Sequence, residues 1–180
     1  MNWAFYLCNL PKEIKLLIFF FLFALLFGYS ASITLLINQT GVSPNGIEEN
    51  YLGNEENEAA QTIKFHKSKF EMLTTIHSHI FTLGLIFFIT GFLAYFTHLP
   101  GKFKVFLMIE PLISLVISFG SLLIMWLGWP SFKYLTYLSG GLMHTTFVIT
   151  LLLLIRELFF LRTEGNVWPN VYSKILAIRL

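Results

Sequence analysis

The chain has 180 residues, 56% hydrophobic and 12% charged, with a mean hydropathy of +0.70. A soluble domain carries about a quarter charged residues, so this composition excludes an ordinary water-soluble domain and points to a membrane protein. A net charge of +2 without a basic tract excludes nucleic acid as a partner, and the single cysteine, Cys8, excludes an internal disulfide or a Cys-pair metal site.

The first elements read as an anchored span. Trp3, Tyr6, Lys12 and Lys15 surround Pro11 ahead of an apolar run, the pattern of an interfacial anchor. The run covers residues 16–37, about 22 residues, enough to cross roughly 30 Å of hydrocarbon. It is longer than the apolar region of a cleaved signal peptide, so it reads as a retained helix despite the small residues Tyr29-Ser30-Ala31-Ser32. Its outer half, with Gly28, Ser30, Ala31, Ser32 and Thr34, suits close helix packing.

Residues 38–72 form the one long polar segment, expected to be a solvated loop. Gly41, Pro44-Asn45-Gly46 and Gly53-Asn54 are turn signals. The acids Glu48, Glu49, Glu55, Glu56 and Glu58 lack the alternation of an EF-hand loop. Asn38-Gln39-Thr40 matches the glycosylation triplet, a pattern too short to carry weight beside a membrane. From about Lys64 the pattern turns helical, so the second helix is expected to begin outside the bilayer.

Further spans are expected at residues 75–96, 103–127 and 134–155, separated by Pro100-Gly101 and by Gly128-Trp129-Pro130-Ser131. A tail follows from 156 to 180, in which residues 171–180 read as a short surface helix. Eight basic residues (Lys12, Lys15, Lys102, Lys104, Arg156, Arg162, Lys174, Arg179) fall on one side and four (Lys64, Lys67, Lys69, Lys133) on the other. The positive-inside bias then sets both termini inside and the 38–72 segment outside. The expected architecture is a single-domain, all-α integral membrane protein, a four-helix bundle running up-down-up-down, as in a bacterial cytoplasmic membrane. No internal repeat divides it.

Ionisable residues within spans are costly in hydrocarbon and are functional candidates by default. The second span carries His77 and His79, about 200° apart around a helix axis, so they cannot easily grip one ion together. His77 shares its side with Gly84 and Gly91; His79 shares its side with Thr82, Thr90 and Thr97, a polar seam that favours His79 as the inward residue. His144 lies mid-way along the fourth span with Gly140 and Tyr137 on its side, and the glycine leaves room for a planar group. Histidines on facing helices are the usual axial ligands of a bundle haem. With His144 opposite His79, or His77 as substitute, the chain resembles the membrane four-helix b-type cytochromes in architecture. That resemblance implies one haem b with iron ligands His79 and His144, passing electrons from quinol to a partner. Depth runs against the pairing, because His144 sits about 15 Å into its span from Tyr134 and His79 only about 6 Å beyond Thr75.

In the third span Glu110, Ser114, Ser118 and Ser121 fall within one helical stripe, read as the bundle-facing side. Glu110, just before Pro111, is either a proton-linked group or a structural hydrogen-bonding partner. His98 reads as an interfacial histidine, and Arg156-Glu157 as a snorkelling interfacial pair. No phosphate-binding glycine loop, nucleophile elbow or HExxH motif is present in the sequence. Three readings follow: a haem-binding redox protein, a cofactor-free accessory subunit of a larger membrane complex, and a proton- or metal-linked transporter.

Overall fold

The computed structural model describes residues 6–57 and 62–159, and the expected surface helix at 171–180 lies outside them. Four helices are long and apolar enough to cross a membrane, and a short fifth lies between the first two. They are α1 (Lys12–Thr40), α2 (Pro44–Leu52), α3 (Lys69–Tyr95), α4 (Gly101–Trp126) and α5 (Lys133–Phe159). Both short turns fall where the Pro and Gly signals stand, so α3, α4 and α5 run antiparallel in sequence. Phe19 near the start of α1 meets Phe159 at the end of α5, which sets α1 antiparallel to α5 as well. The bundle is therefore up-down-up-down.

The helices overrun the expected spans because local chemistry sets their ends. α3 begins at Lys69, ahead of the span expected from 75 but after the helical start expected at about Lys64, because there Ser68 accepts from the Glu71 N–H and Glu71 Oε2 accepts from the Ser68 N–H. This reciprocal capping box satisfies donors that a first helical turn leaves unpaired. α5 continues through Arg156 to Phe159, so the start of the expected tail is helical.

The packed centre lies among α3, α4 and α5. Phe87, Leu115, Phe119, Leu122, Met125, Met143, Phe147, Leu151 and Leu154 are all buried there. α5 packs most extensively on α4 and also touches α1 and α3. α1 is mostly exposed; among its residues only Leu22 and Thr40 are buried, as suits a helix with most of its circumference turned to lipid. Close approach of α3 to α4 depends on Gly91. A Cβ there would lie 3.1 Å from the Met108 carbonyl oxygen.

The 38–72 segment corrects the expectation of a solvated loop. Pro44-Asn45-Gly46 is not a turn but the first turn of α2, with Ser43 as N-cap accepting from the Gly46 N–H at 3.0 Å. Pro suits this first position because its missing N–H has no helical acceptor to lose. After α2 the chain doubles back. The Asn54 side chain bridges the Thr62 carbonyl (3.1 Å) and the Lys64 N–H (2.7 Å), and the Lys67 N–H donates to the Tyr51 carbonyl at 3.0 Å. Burial in this layer pushes the Tyr51 phenol above the usual tyrosine range. Two ties fasten the layer to the bundle: Trp126 Nε1–H donates to the Lys67 carbonyl at 2.8 Å, and Lys133 Nζ reaches Asn45 Oδ1 (2.8 Å) and Glu48. The segment is a folded cap.

Gly91→Val forces a branched side chain against the α4 backbone, and overpacking of this kind costs about 1–3 kcal/mol. Gly120, with nothing within 4 Å of its added Cβ, should accept alanine without loss. Thermal unfolding in detergent, followed by circular dichroism, should show a lowered midpoint for Gly91→Val and an unchanged or raised one for Gly120→Ala.

Candidate functional site

Two places gather polar chemistry inside the bundle. The first is the α4–α5 interface. Glu110, Ser114, Ser118 and Ser121 are all buried, as the stripe implies. The Ser114 hydroxyl donates to one carboxylate oxygen of Glu110 and the Thr146 hydroxyl of α5 donates to the other. Ser121 and Thr136 share a hydrogen bond of 2.8 Å nearer the cap. Thr150, Ser139 and Thr146 also bond to carbonyls of their own helix, which satisfies hydroxyls that lipid cannot. Glu110 thus joins α4 to α5 through the oxygen that accepts from Thr146, while Ser114 of its own helix satisfies the other.

The second place is the end of the bundle that holds the N-terminal segment and the α3–α4 turn. A short 3-10 turn, Leu7–Asn9, is tied to that turn by the Leu7 N–H on the Phe96 carbonyl at 2.9 Å. Lys104 Nζ donates to the Thr97 (2.6 Å) and Tyr95 (3.1 Å) carbonyls and so closes the end of α3. His98 turns back over α5. Its Nδ1 is hydrogen bonded to Glu157 Oε1, its backbone N–H donates to the same oxygen at 3.2 Å, and its ring stacks on Tyr6 at 3.6 Å. The Glu157 side chain is 3% exposed and that of His98 30%. His98 stays exposed at the interface as expected, while the buried Glu157 corrects the reading of it as half of a snorkelling pair with Arg156. The buried Cys8 thiol completes the group: its Sγ, a ring nitrogen of His98 and a Glu157 oxygen lie within 4.8 Å of one another. A cavity of about 250 Å³ lined by His98, Leu99, Pro100, Leu153, Arg156 and Glu157 adjoins them.

The span histidines are placed differently. His79 and His77 are both exposed. His79 Nδ1–H donates to the Thr75 carbonyl at 2.8 Å and its ring lies 5.3 Å from Phe119 of α4, while His77 lies 4.8 Å from Phe81 of its own helix. His144 is half-buried, with its ring 5.7 Å from Tyr29 of α1. Helix register fixes their depths. Gly91 faces Met108 and Gly84 faces Leu115, so His79 stands level with Phe119 on α4. Gly140 faces Ser118 and Thr146 bonds Glu110, so His144 stands level with the residues between, near 113. The difference, about six residues of helix, is about 9 Å of depth, and His77 lies farther still toward the cap. The room beside Gly140 is also taken, since a Cβ there would meet Ser118 Oγ at 3.5 Å. Phe87 on Phe147, with centroids 5.1 Å apart, fills the α3–α5 contact. The residues expected to hold haem do not converge around a space that fits it.

A family model described as a transmembrane helical domain, Aq_1264_TM, matches residues 41–165. The chain belongs to that family. The Aq_1264_TM match covers the cap and α3–α5, the part of the molecule that contains the packed centre, and starts after α1. With the four apolar helices it makes this an integral membrane protein. Nothing matches the chain among curated proteins or among solved structures.

The group at Cys8, His98 and Glu157 was missed by sequence reasoning because its members come from three distant segments, each next to an apparent membrane boundary. A Glu in the last turn of a span, with a His in the turn it faces, was the available signal.

If Glu110 is a structural link, Glu110→Gln keeps an amide that accepts from one hydroxyl and donates to the other. Its midpoint in detergent should stay close to wild type. Glu110→Ala loses the interhelical bond to Thr146, worth about 1 kcal/mol, together with the bond from Ser114 of its own helix, and leaves a cavity, so it should unfold well below both.

Proposed function

We propose that the chain is a cofactor-free accessory subunit of a larger membrane complex, with both termini inside a bacterial cytoplasmic membrane and the cap outside. One observation carries this reading: the cap is folded and fastened to the ends of α4 and α5, yet it turns large apolar side chains outward. Ile63 and Phe65 are 63% and 71% exposed and lie ahead of the first residue of α3. A segment tied at Trp126 and Lys133 has already lost its conformational entropy, so a partner meets a pre-organised surface. The basic residues Lys64, Lys67 and Lys69 among these apolar ones suit a partner surface that combines apolar and acidic groups.

The alternative of a single b-type haem for electron transfer with quinol finds less support. It needs His79 to meet His144 across about 9 Å of depth, or His77 to do so across more, through an interval filled by Phe87 and Phe147.

Two measurements test the proposal. A photo-crosslinking residue at Phe65 should join the chain, in its native membrane, to one protein in stoichiometric yield, and Ile63→Ser with Phe65→Ser should abolish the complex. Crosslinks to lipid alone would make the cap a membrane anchor and overturn the subunit reading. In parallel, oxidised and dithionite-reduced visible spectra of protein produced with haem precursor should lack Soret and α bands. Bands lost in His144→Ala would reinstate the cytochrome reading.

A further inference from the structure

We propose that Cys8, His98 and Glu157 form a binding site for one borderline divalent metal ion of the Zn²⁺ class. The three side chains supply a thiolate, an imidazole and a carboxylate, the donor types that Zn²⁺ takes. They come from the N-terminal 3-10 turn, the α3–α4 turn and the last turns of α5, all held independently of any ion. Leu7 is bonded to Phe96, Lys104 closes the end of α3, and the His98 backbone N–H is on Glu157. Metal–ligand bonds of about 2.0–2.3 Å in a tetrahedron place donors about 3.3–3.8 Å apart. Donor atoms already within 4.8 Å of one another reach that spacing through side-chain adjustment alone.

Two further features fit an ion better than a purely structural cluster. The first is the buried Cys8 thiol, which donates to Asn9 Oδ1 on the neighbouring residue at 3.5 Å and keeps its sulfur lone pairs free for an ion. The second is the cavity of about 250 Å³ against His98 and Glu157, which offers a fourth coordination position to water or an added ligand. Three protein ligands and one open position make the arrangement of a reactive rather than a closed structural site. Binding releases the Cys8 thiol proton to solvent, and a neutral His98 ring that takes the ion on one nitrogen keeps its one proton on the other. This site stands apart from the cap surface, so either proposal survives failure of the other.

The test uses the full chain, purified in detergent and freed of metal, with Co²⁺ as a spectroscopic stand-in for Zn²⁺. One equivalent should produce tetrahedral d–d bands and a thiolate-to-cobalt charge-transfer band, and Zn²⁺ should bleach both. The chain has one cysteine, so the charge-transfer band reports Cys8 alone. Cys8→Ser should abolish that band, and Glu157→Gln should weaken Co²⁺ binding at least tenfold. The double variant His77→Ala/His79→Ala removes the two exposed imidazoles of α3 and should leave the band intact. Zn²⁺ should also protect Cys8 of the wild-type protein from a small maleimide, a readout that survives misfolding of any variant. No charge-transfer band, a band that persists without Cys8, or alkylation unaffected by Zn²⁺ would overturn the proposal.

Discussion

Hydrocarbon offers no hydrogen bonds, so a carboxyl group in the middle of a span has to find every partner within the protein. Glu110 meets that condition with one hydroxyl from its own helix and one from α5, and the rest of the bundle is arranged around the pairing. Small residues make it possible. Ser114, Ser118 and Ser121 on α4 face Thr146, Gly140 and Thr136 on α5, and their size lets the helix axes approach. Between two apolar helices in lipid there is no hydrophobic drive to associate, and close packing with interhelical hydrogen bonds replaces it. A seam of this kind also fixes register, because sliding α5 by one turn would take the Thr146 donor away from Glu110.

With α4 and α5 locked, the remaining elements are held at their ends. On one side the cap grips the bundle through Trp126 and Lys133, and on the other the Leu7–Asn9 turn is bonded to the α3–α4 turn. Between those two attachments α1 touches α5 at Phe19 and Tyr29 and otherwise presents apolar side chains outward. Removing the family-matched region from consideration leaves little beyond this helix and the segment before it. Yet that segment carries Cys8 and Tyr6, which reach the buried Glu157 and the exposed His98 paired with it from outside the packed centre.

Much of the fold was legible because bilayer thickness and hydropathy together demand spans. The Pro–Gly turns and the Glu110 stripe follow from helical spacing alone. The cap was not legible. Pro44-Asn45-Gly46 has the same composition in a turn as in a capped helix start, and only the hydrogen bond from Gly46 to Ser43 separates the two. The depth of the histidines was not legible for another reason. Helical periodicity tells which residues share a face, and it correctly joins Gly84 to Gly91. It says nothing about where along a neighbour that face comes to rest, and that is decided by contacts such as Gly91 on Met108 and Gly140 on Ser118.

Register also explains why the chemistry collects at a helix end. Side chains on two straight helices meet only if their levels agree, and His79 and His144 are separated by about 9 Å. A turn has no such restriction, because its backbone can fold over the end of a neighbouring helix. The stretch after Tyr95 does this, and so carries His98 onto Glu157 while Cys8 approaches from the opposite side. Burying Glu157 there is tolerable because the imidazole and a backbone N–H both reach the same oxygen. Removing the imidazole would leave the buried carboxylate with one partner fewer. The arrangement therefore holds the bundle end together while leaving a thiol and a cavity beside it, and no comparable set of donors is formed by the span histidines.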